Sequence, residues 1–225
     1  MGFVVIFLKT IMKHIRRVVD GIEKIWLEVT LKKAELRKQI LDQRLSYSQD
    51  FVGQASQKVS QQLLSFIEKN HHHARIFSYI ATRNEVDLTP LMAKKSDRVY
   101  IPRVTGGSAT MEFAFWDQDK PLKIGRYGIM EVEGGKAVRP ESTDIALVPC
   151  VGLNQNGVRI GYGAGYYDRY FADSPRPFLV GVCFSAFCGQ SFVTESHDIA
   201  MDAICSEVEF VYLNNKSSSS HLRGY

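Results

Sequence analysis

The chain has 225 residues, 45% hydrophobic and 23% charged, an ordinary globular composition at a length suited to one domain with a sizeable core. Its formal net charge of +4 is small, and aromatic residues do not interleave with Lys and Arg in any one segment, which argues against a nucleic-acid binder and suits an anionic small substrate equally well. Cys150, Cys183, Cys188 and Cys205 form no C-x-x-C pair and no zinc spacing with His, and three lie in apolar strand-like surroundings where a free Cys acts as a small hydrophobe. A reducing, cytoplasmic setting is the expectation.

Residues 1–28 begin with a short apolar run and then turn basic at Lys9, Lys13, Arg16 and Arg17. That order is the reverse of a secretory signal, and Phe3–Leu8 is too short to span a bilayer. Ile11, Ile15, Val18, Val19, Ile22 and Ile25 recur at helical spacing, so this extension reads as an amphipathic helix, with no membrane partner expected. Leu31–Ser46 is a charged helical pattern without Gly or Pro, and Ser48 or Asp50 caps a second helix from Val52 to about Lys69. His71–His73 read as a polar loop, since adjacent positions do not turn three ligands to one side.

From Ala74 the pattern changes. ARIFSYIA is a β-rich run, Leu88–Lys95 is helix-like, RVYIPRV is a strand ending near Pro102, and Gly106–Gly107 turn the chain toward the strand MEFAFW. DIALVP (Asp144–Pro149) is a fully apolar strand, Tyr166–Phe171 a short helix, and PFLVGVCF and VEFVYL are further strands. Strands alternating with helices predict an α/β fold with a mixed, largely parallel sheet flanked by helices. The domain spans 29–213, and the Ser-rich tail 214–225 reads as disordered.

In open α/β sheets ligands collect beyond the carboxyl ends of strands, so the segment after DIALVP is the favoured place for a site. It reads GVRIGYGAGYYD over Gly157–Asp168. Its glycines let backbone amides approach an anion, Arg159 adds a fork suited to phosphate, the tyrosines offer flat faces and hydroxyls, and Asp168 offers a carboxylate to a phosphate-bound magnesium ion. The segment lacks the G-K-S/T of a Walker loop and the spaced G-x-G-x-x-G of a dinucleotide fold.

The full string R-I-G-Y-G-A-G-Y-Y-D-R closely resembles the signature of the 5-formyltetrahydrofolate cyclo-ligase family. Other motifs follow in the same order: Lys33 and Arg37 as K-x-x-x-R, Asn84-Glu85-Val86-Asp87 after the first strand, Tyr100-Ile101-Pro102-Arg103, Tyr127-Gly128-Ile129-Met130-Glu131, and Glu195 to Asp202. The resemblance implies ATP- and magnesium-dependent cyclisation of 5-formyltetrahydrofolate to 5,10-methenyltetrahydrofolate by a monomeric enzyme. It also implies the three-layer architecture of glucosamine-phosphate deaminases, ribose-phosphate isomerases and CoA-transferases. Lys33, Arg37, Arg159, Ile160, Gly161, Gly163, Ala164, Gly165 and Tyr167 would contact ATP, with Arg159 and Tyr166 in the chemistry. Glu85, Tyr162 and Tyr166 would contact the folate, and Asp168 and Asp198 would hold Mg2+. Asp202 reads as structural.

The chain departs from the family pattern at Cys150 (Gly), Leu153 (Phe), Asn154 (Asp) and Val132 (Pro), none of them a proposed ligand. The rival readings are a sugar-phosphate isomerase or deaminase, which would use a carboxylate base without ATP, and a folate- or nucleotide-binding protein without turnover.

Overall fold

The computed structural model describes residues 12, 15–17, 19, 21, 33–105, 110–172 and 176–213. The six described residues before 33 are helical and exposed; most of the expected amphipathic extension, the Gly106–Gly107 turn and the Ser-rich tail lie outside the described residues. Residues 33–45 are helical (α1) and a tight turn leads into α2, Gln49–Asn70. The Ser48 side chain accepts from the Phe51 amide at 3.2 Å and so caps α2, while Asp50, the alternative cap, lies in the first turn, where its charge complements the helix dipole. Val52, Ala55, Val59, Leu63 and Phe66 line the buried face of α2 at three- and four-residue steps.

The elements that follow are β1 (Ile76–Phe77), α3 (Thr89–Lys94), β2 (Val99–Thr105), β3 (Thr110–Phe115), β4 (Lys123–Ile124), β5 (Met130–Glu131), β6 (Ala137–Val138) and β7 (Ile145–Pro149). After them come β8 (Gly152–Leu153), β9 (Arg159–Ile160), α4 (Tyr166–Phe171), β10 (Phe178–Val182), β11 (Ala203–Cys205) and β12 (Phe210–Tyr212). The main sheet has eight strands in the order β12-β11-β10-β7-β1-β2-β3-β6. Its centre is parallel, from β11 through β10, β7 and β1 to β2, and β12, β3 and β6 add antiparallel margins. The expected mixed, largely parallel α/β sheet flanked by helices is therefore present.

Strand lengths differ from the sequence expectation for local reasons. β1 is only two residues long although it is central, because the chain turns away after Phe77 toward the loop that carries Glu85. β2 continues past Pro102 to Thr105 because β3 pairs with it along its whole length. Ser78 N–H donates to Tyr100 O at 2.8 Å, so Pro102, two residues on, turns its missing donor to the same side, beyond the end of β1, where no ladder bond is lost. β7 is buried from Ile145 through Val148, as a parallel strand covered on both faces should be.

The chain runs outward from β1 through β2, β3 and β6, then returns to the other side of β1 as β7 and runs outward again through β10, β11 and β12. The topological switch thus lies between β1 and β7. Open α/β sheets place their ligand crevice at the carboxyl ends of the strands at such a point. Here those ends deliver the 78–88 loop and the Gly-rich segment to one location.

Candidate active site

Beyond β7 the chain forms a hairpin in which β8 and β9 pair antiparallel, Gly152 opposite Ile160 and Leu153 opposite Arg159. Buried Asn154 organises its tip: Asn154 Oδ1 accepts from the amides of Asn156 (3.0 Å) and Val158 (2.9 Å). An amide oxygen does here what a carboxylate would do, so Asn in place of the family's Asp keeps the turn. Cys150 is not at a positive φ, so the position does not require glycine. Burial drives the Cys150 thiol up to about 12, which removes it as a nucleophile at neutral pH. Leu153 and Val132 are buried in the core. The departures from the family pattern are absorbed by packing.

Arg159 leaves β9 with its side chain 5% exposed. Its Nη2 donates to Asp168 Oδ2 at 2.7 Å and its guanidinium stands 5.3 Å from the centroid of the Tyr167 ring, while the buried Nε has no hydrogen-bond partner among the described residues. A Cβ at Gly161 would sit 2.3 Å from Arg159 Nη1 and would displace the guanidinium. Gly163 has φ +99°, a conformation that side chains rarely adopt. Ile160 is fully buried, and its carbonyl accepts from the Val151 amide at 2.8 Å. Ala164 O accepts from Arg169 Nη2 at 2.6 Å, and Gly165 is the N-cap residue of α4 at φ 65°. Tyr166 packs against the core with the Arg169 guanidinium 5.8 Å from its ring centroid.

One stripe of α1 faces this loop. Lys33, Arg37, Ile40 and Arg44 recur at steps of four, three and four residues, the spacing of a single helix face. Lys33 Nζ lies 3.0 Å from both carboxylate oxygens of Asp198 and 3.3 Å from Glu195 Oε2. Arg37 Nε donates to Gly161 O at 2.6 Å, and its guanidinium lies 3.6 Å from where a Cβ on Gly163 would be. Among the described residues Arg37 has no ion-pair partner within 4.0 Å; Glu195 acts on it only at longer range. Asp198 also accepts from the Glu195 amide at 2.7 Å, closing the turn that presents it to Lys33. The Met201 amide donates to Gly157 O at 3.0 Å and ties this segment to the hairpin tip.

Glu85 is 6% exposed. Its Oε2 accepts from the Thr82 amide (2.9 Å) and hydroxyl (3.2 Å), and its Oε1 from the Tyr162 hydroxyl (2.7 Å). Burial pushes the Glu85 carboxyl above its usual range, with Arg44, Tyr162 and Thr82 partly opposing the rise. Burial likewise pushes the Tyr162 and Tyr167 hydroxyls upward, which keeps them protonated donors. A cavity of about 590 Å³ between α2, α3 and residues 80–85 has Ser56, Thr82, Glu85 and Lys94 on its wall, and no residue of the Gly-rich loop lines it.

The structure therefore brings the sequence-predicted residues into pairs: Lys33 with Asp198, Arg37 with Gly161, Arg159 with Asp168, and Glu85 with Tyr162. Asp168 and Asp198 are held by different cations. The potential ligand atoms within 4.8 Å of one another belong to Glu195, His197 and Asp198, without Asp168. Asp202 is in a two-pronged ion pair with Arg176 (2.7 and 2.8 Å), as a structural role requires. Arg44 was not among the expected site residues. It is 1% exposed, and its Nη2 donates to Tyr162 Oη. Its place on the Lys33–Arg37 stripe was the available signal.

A profile of the 5-formyltetrahydrofolate cyclo-ligase family matches residues 29–207. The 5-formyltetrahydrofolate cyclo-ligase of Mycoplasma pneumoniae is 28% identical over 182 residues, covering 79% of this chain and 99% of that protein. The Saccharomyces cerevisiae protein of the same name is 27% identical, covering 76% of this chain and 93% of its own length. The NMR structure of Aquifex aeolicus 5,10-methenyltetrahydrofolate synthetase superposes with a TM-score of 0.72 at 30% identity, covering 86% of this chain and 98% of the other.

Proposed function

Because the chain belongs to the 5-formyltetrahydrofolate cyclo-ligase family, we propose that it converts 5-formyltetrahydrofolate to 5,10-methenyltetrahydrofolate at the expense of ATP, with Mg2+, as a cytoplasmic monomer. The observation that carries this reading is the convergence of Arg37 and Arg159 on the Gly161–Gly163 backbone, with Lys33 against Asp198 on the same α1 stripe and Tyr162, between the two glycines, bonded to the buried Glu85. One half of such a site suits phosphates and the other suits the donor-rich edge of a pterin.

The residues present fit both absent groups. Arg37 without an ion-pair partner and the orphaned Nε of Arg159 are donors in search of acceptors. Asp168 and Asp198 supply the hard oxygen ligands that magnesium prefers. When bound, magnesium would neutralise charge on the phosphate oxygens. Phosphate oxygens arriving at Lys33 and Arg159 compete with Asp198 and Asp168 for these cations, and that exchange would free the two carboxylates for metal.

A formamide oxygen is a poor leaving group. Transfer of the terminal phosphoryl group of ATP to it breaks the bond to ADP and forms a phosphorylated imidate. The neighbouring folate nitrogen then attacks the activated carbon and phosphate departs. Arg37, Arg159 and the loop amides hold the phosphoryl group in line with the formyl oxygen, Glu85 and Tyr162 fix the pterin, and catalysis consists mainly of positioning and charge stabilisation. No helix among the described residues is long and apolar enough to cross a membrane.

The test is direct. Incubated with 5-formyltetrahydrofolate and magnesium, the protein should generate the absorbance of the methenyl product only when ATP is added, with matching ADP. No ATP-dependent growth would overturn the reading in favour of the sugar-phosphate rival, and folate binding with no ADP formation would favour a binding protein.

A further inference from the structure

Arg44 is the largest side chain among those fully buried, at 1% exposure, yet no carboxylate among the described residues lies within ion-pair distance of it. A guanidinium removed from water incurs a penalty of several kcal/mol unless its donors are satisfied and an anion is near. Its partners are informative. Nε donates to Arg83 O at 3.0 Å, and Nη2 donates to the Tyr162 hydroxyl, whose ring centroid is 5.6 Å from the guanidinium carbon. The same hydroxyl donates to Glu85 Oε1 at 2.7 Å.

The second partner, Arg83, lies in a strained turn. Arg83 and Asn84 have φ of 49° and 56° and are the only non-glycine residues at positive φ among the described residues. Glu85 N–H closes the turn on Thr82 O at 2.9 Å. Left-handed backbone at two successive non-glycine positions persists only where the surroundings enforce it. Here α1 and its exit enforce it: Arg44 holds the Arg83 carbonyl, and Asn84 Nδ2 donates back to the carbonyls of Arg44 (3.3 Å) and Tyr47 (3.2 Å). Both devices that fix Glu85, the turn beneath it and the tyrosine beside it, thus pass through one buried cation that does not itself touch the carboxylate.

We propose that Arg44 is the positioning residue of the Glu85 carboxylate, holding the 82–85 turn and the Tyr162 hydroxyl in register so that Glu85 is presented to the folate. The inference rests on the reading above that Glu85 receives the pterin. It separates the α1 stripe into two functions. Lys33 and Arg37 serve the phosphates, and Arg44, two turns further along the same face, serves the folate.

The test uses calorimetric binding of 5-formyltetrahydrofolate and of ATP with magnesium to the full chain, together with the two KM values from the methenyl assay. Arg44→Gln should weaken folate binding and raise the folate KM by about tenfold or more, the scale of a lost hydrogen bond to a charged group, while the ATP values stay within about twofold. Tyr162→Phe cuts the same relay from its exposed side and should shift folate in the same direction. The effect of Arg44→Gln should shrink in the Tyr162→Phe background, because the two act on one group. Folate values within about twofold of wild type, or equal loss toward both ligands, would overturn the proposal. If Arg44→Gln does not fold, Arg44→Lys, which keeps the charge but loses the fork that joins Arg83 O to the Tyr162 hydroxyl, decides by the same criterion. A wild-type chain that binds no folate overturns the functional reading and this inference with it. A wild-type chain that binds folate without turnover overturns only the reading, and Arg44 is still judged by binding.

Discussion

Glu85 is a carboxylate whose burial opposes the charge its proposed task needs. Its carboxyl is raised from an ordinary 4.5 mainly by desolvation, so the folded protein binds the Glu85 proton more tightly than the unfolded chain does. The stability contributed by that proton is fully present below pH 4.5 and is lost as pH rises through the elevated value in the native state. Glu85→Gln removes the ionisation and should flatten this part of the pH profile, making the variant relatively more stable at neutral pH while it loses folate binding. Urea midpoints for both proteins between pH 4 and pH 8 check it; parallel profiles would refute the assignment. Arg159 illustrates the complementary case, since its Asp168 partner and its Tyr167 platform leave Nε as the donor still without an acceptor.

Among the elements, α2 and the β8–β9 hairpin divide stability from function. α2 is capped by Ser48 and buries Leu63 and Val59 completely. Loss of the cap in Ser48→Ala should reduce stability by about 1 kcal/mol. Leu63→Ala should cost about 2–5 kcal/mol, because a cavity is left as well as a transfer term. Chemical denaturation should rank the two in that order, and the reverse order would contradict the burial pattern. The hairpin makes the opposite use of its residues. Its tip is set by the Asn154 side chain and its exit by Gly161, whose missing Cβ is the space that Arg159 occupies. The periodicity of α2 and the apolar run of β7 were readable because local sequence encodes them. The β-rich run ARIFSYIA marked β1, whereas the two-residue strands β8 and β9 were not read as elements, since each exists through its pairing with the other rather than through length or alternation.

For the whole molecule, the site is a seam between α1, the Gly-rich loop and the 195–201 segment, joined by Lys33 to Asp198, by Arg37 to Gly161 and by Met201 to Gly157. A ligand that bridges these parts should stabilise the fold through linkage. ATP with magnesium at about a hundred times its dissociation constant contributes about 2.7 kcal/mol, which for a chain of this size corresponds to a rise in Tm of about 5–10 °C. Thermal melts with and without nucleotide measure it, and an unchanged Tm at saturating ATP would count against the phosphate site.

The amino-acid sequence alone determined the α/β class, the boundaries of α2, α3 and α4 to within a few residues, and the place of the Gly-rich segment after the apolar strand Ile145–Pro149. Each of these follows from local periodicity, capping or glycine spacing. Only the tertiary structure decided which charges meet. Lys33 reaches Asp198 across 165 positions, and Tyr162 reaches Glu85 across 77; sheet order and the switch between β1 and β7 set those separations. In the sequence Arg44 stood out only as part of the charged helical pattern Leu31–Ser46. Its role emerged only once the fold had buried it between a strained turn and a tyrosine, because burial, which no residue carries by itself, turns a surface charge into an organising one.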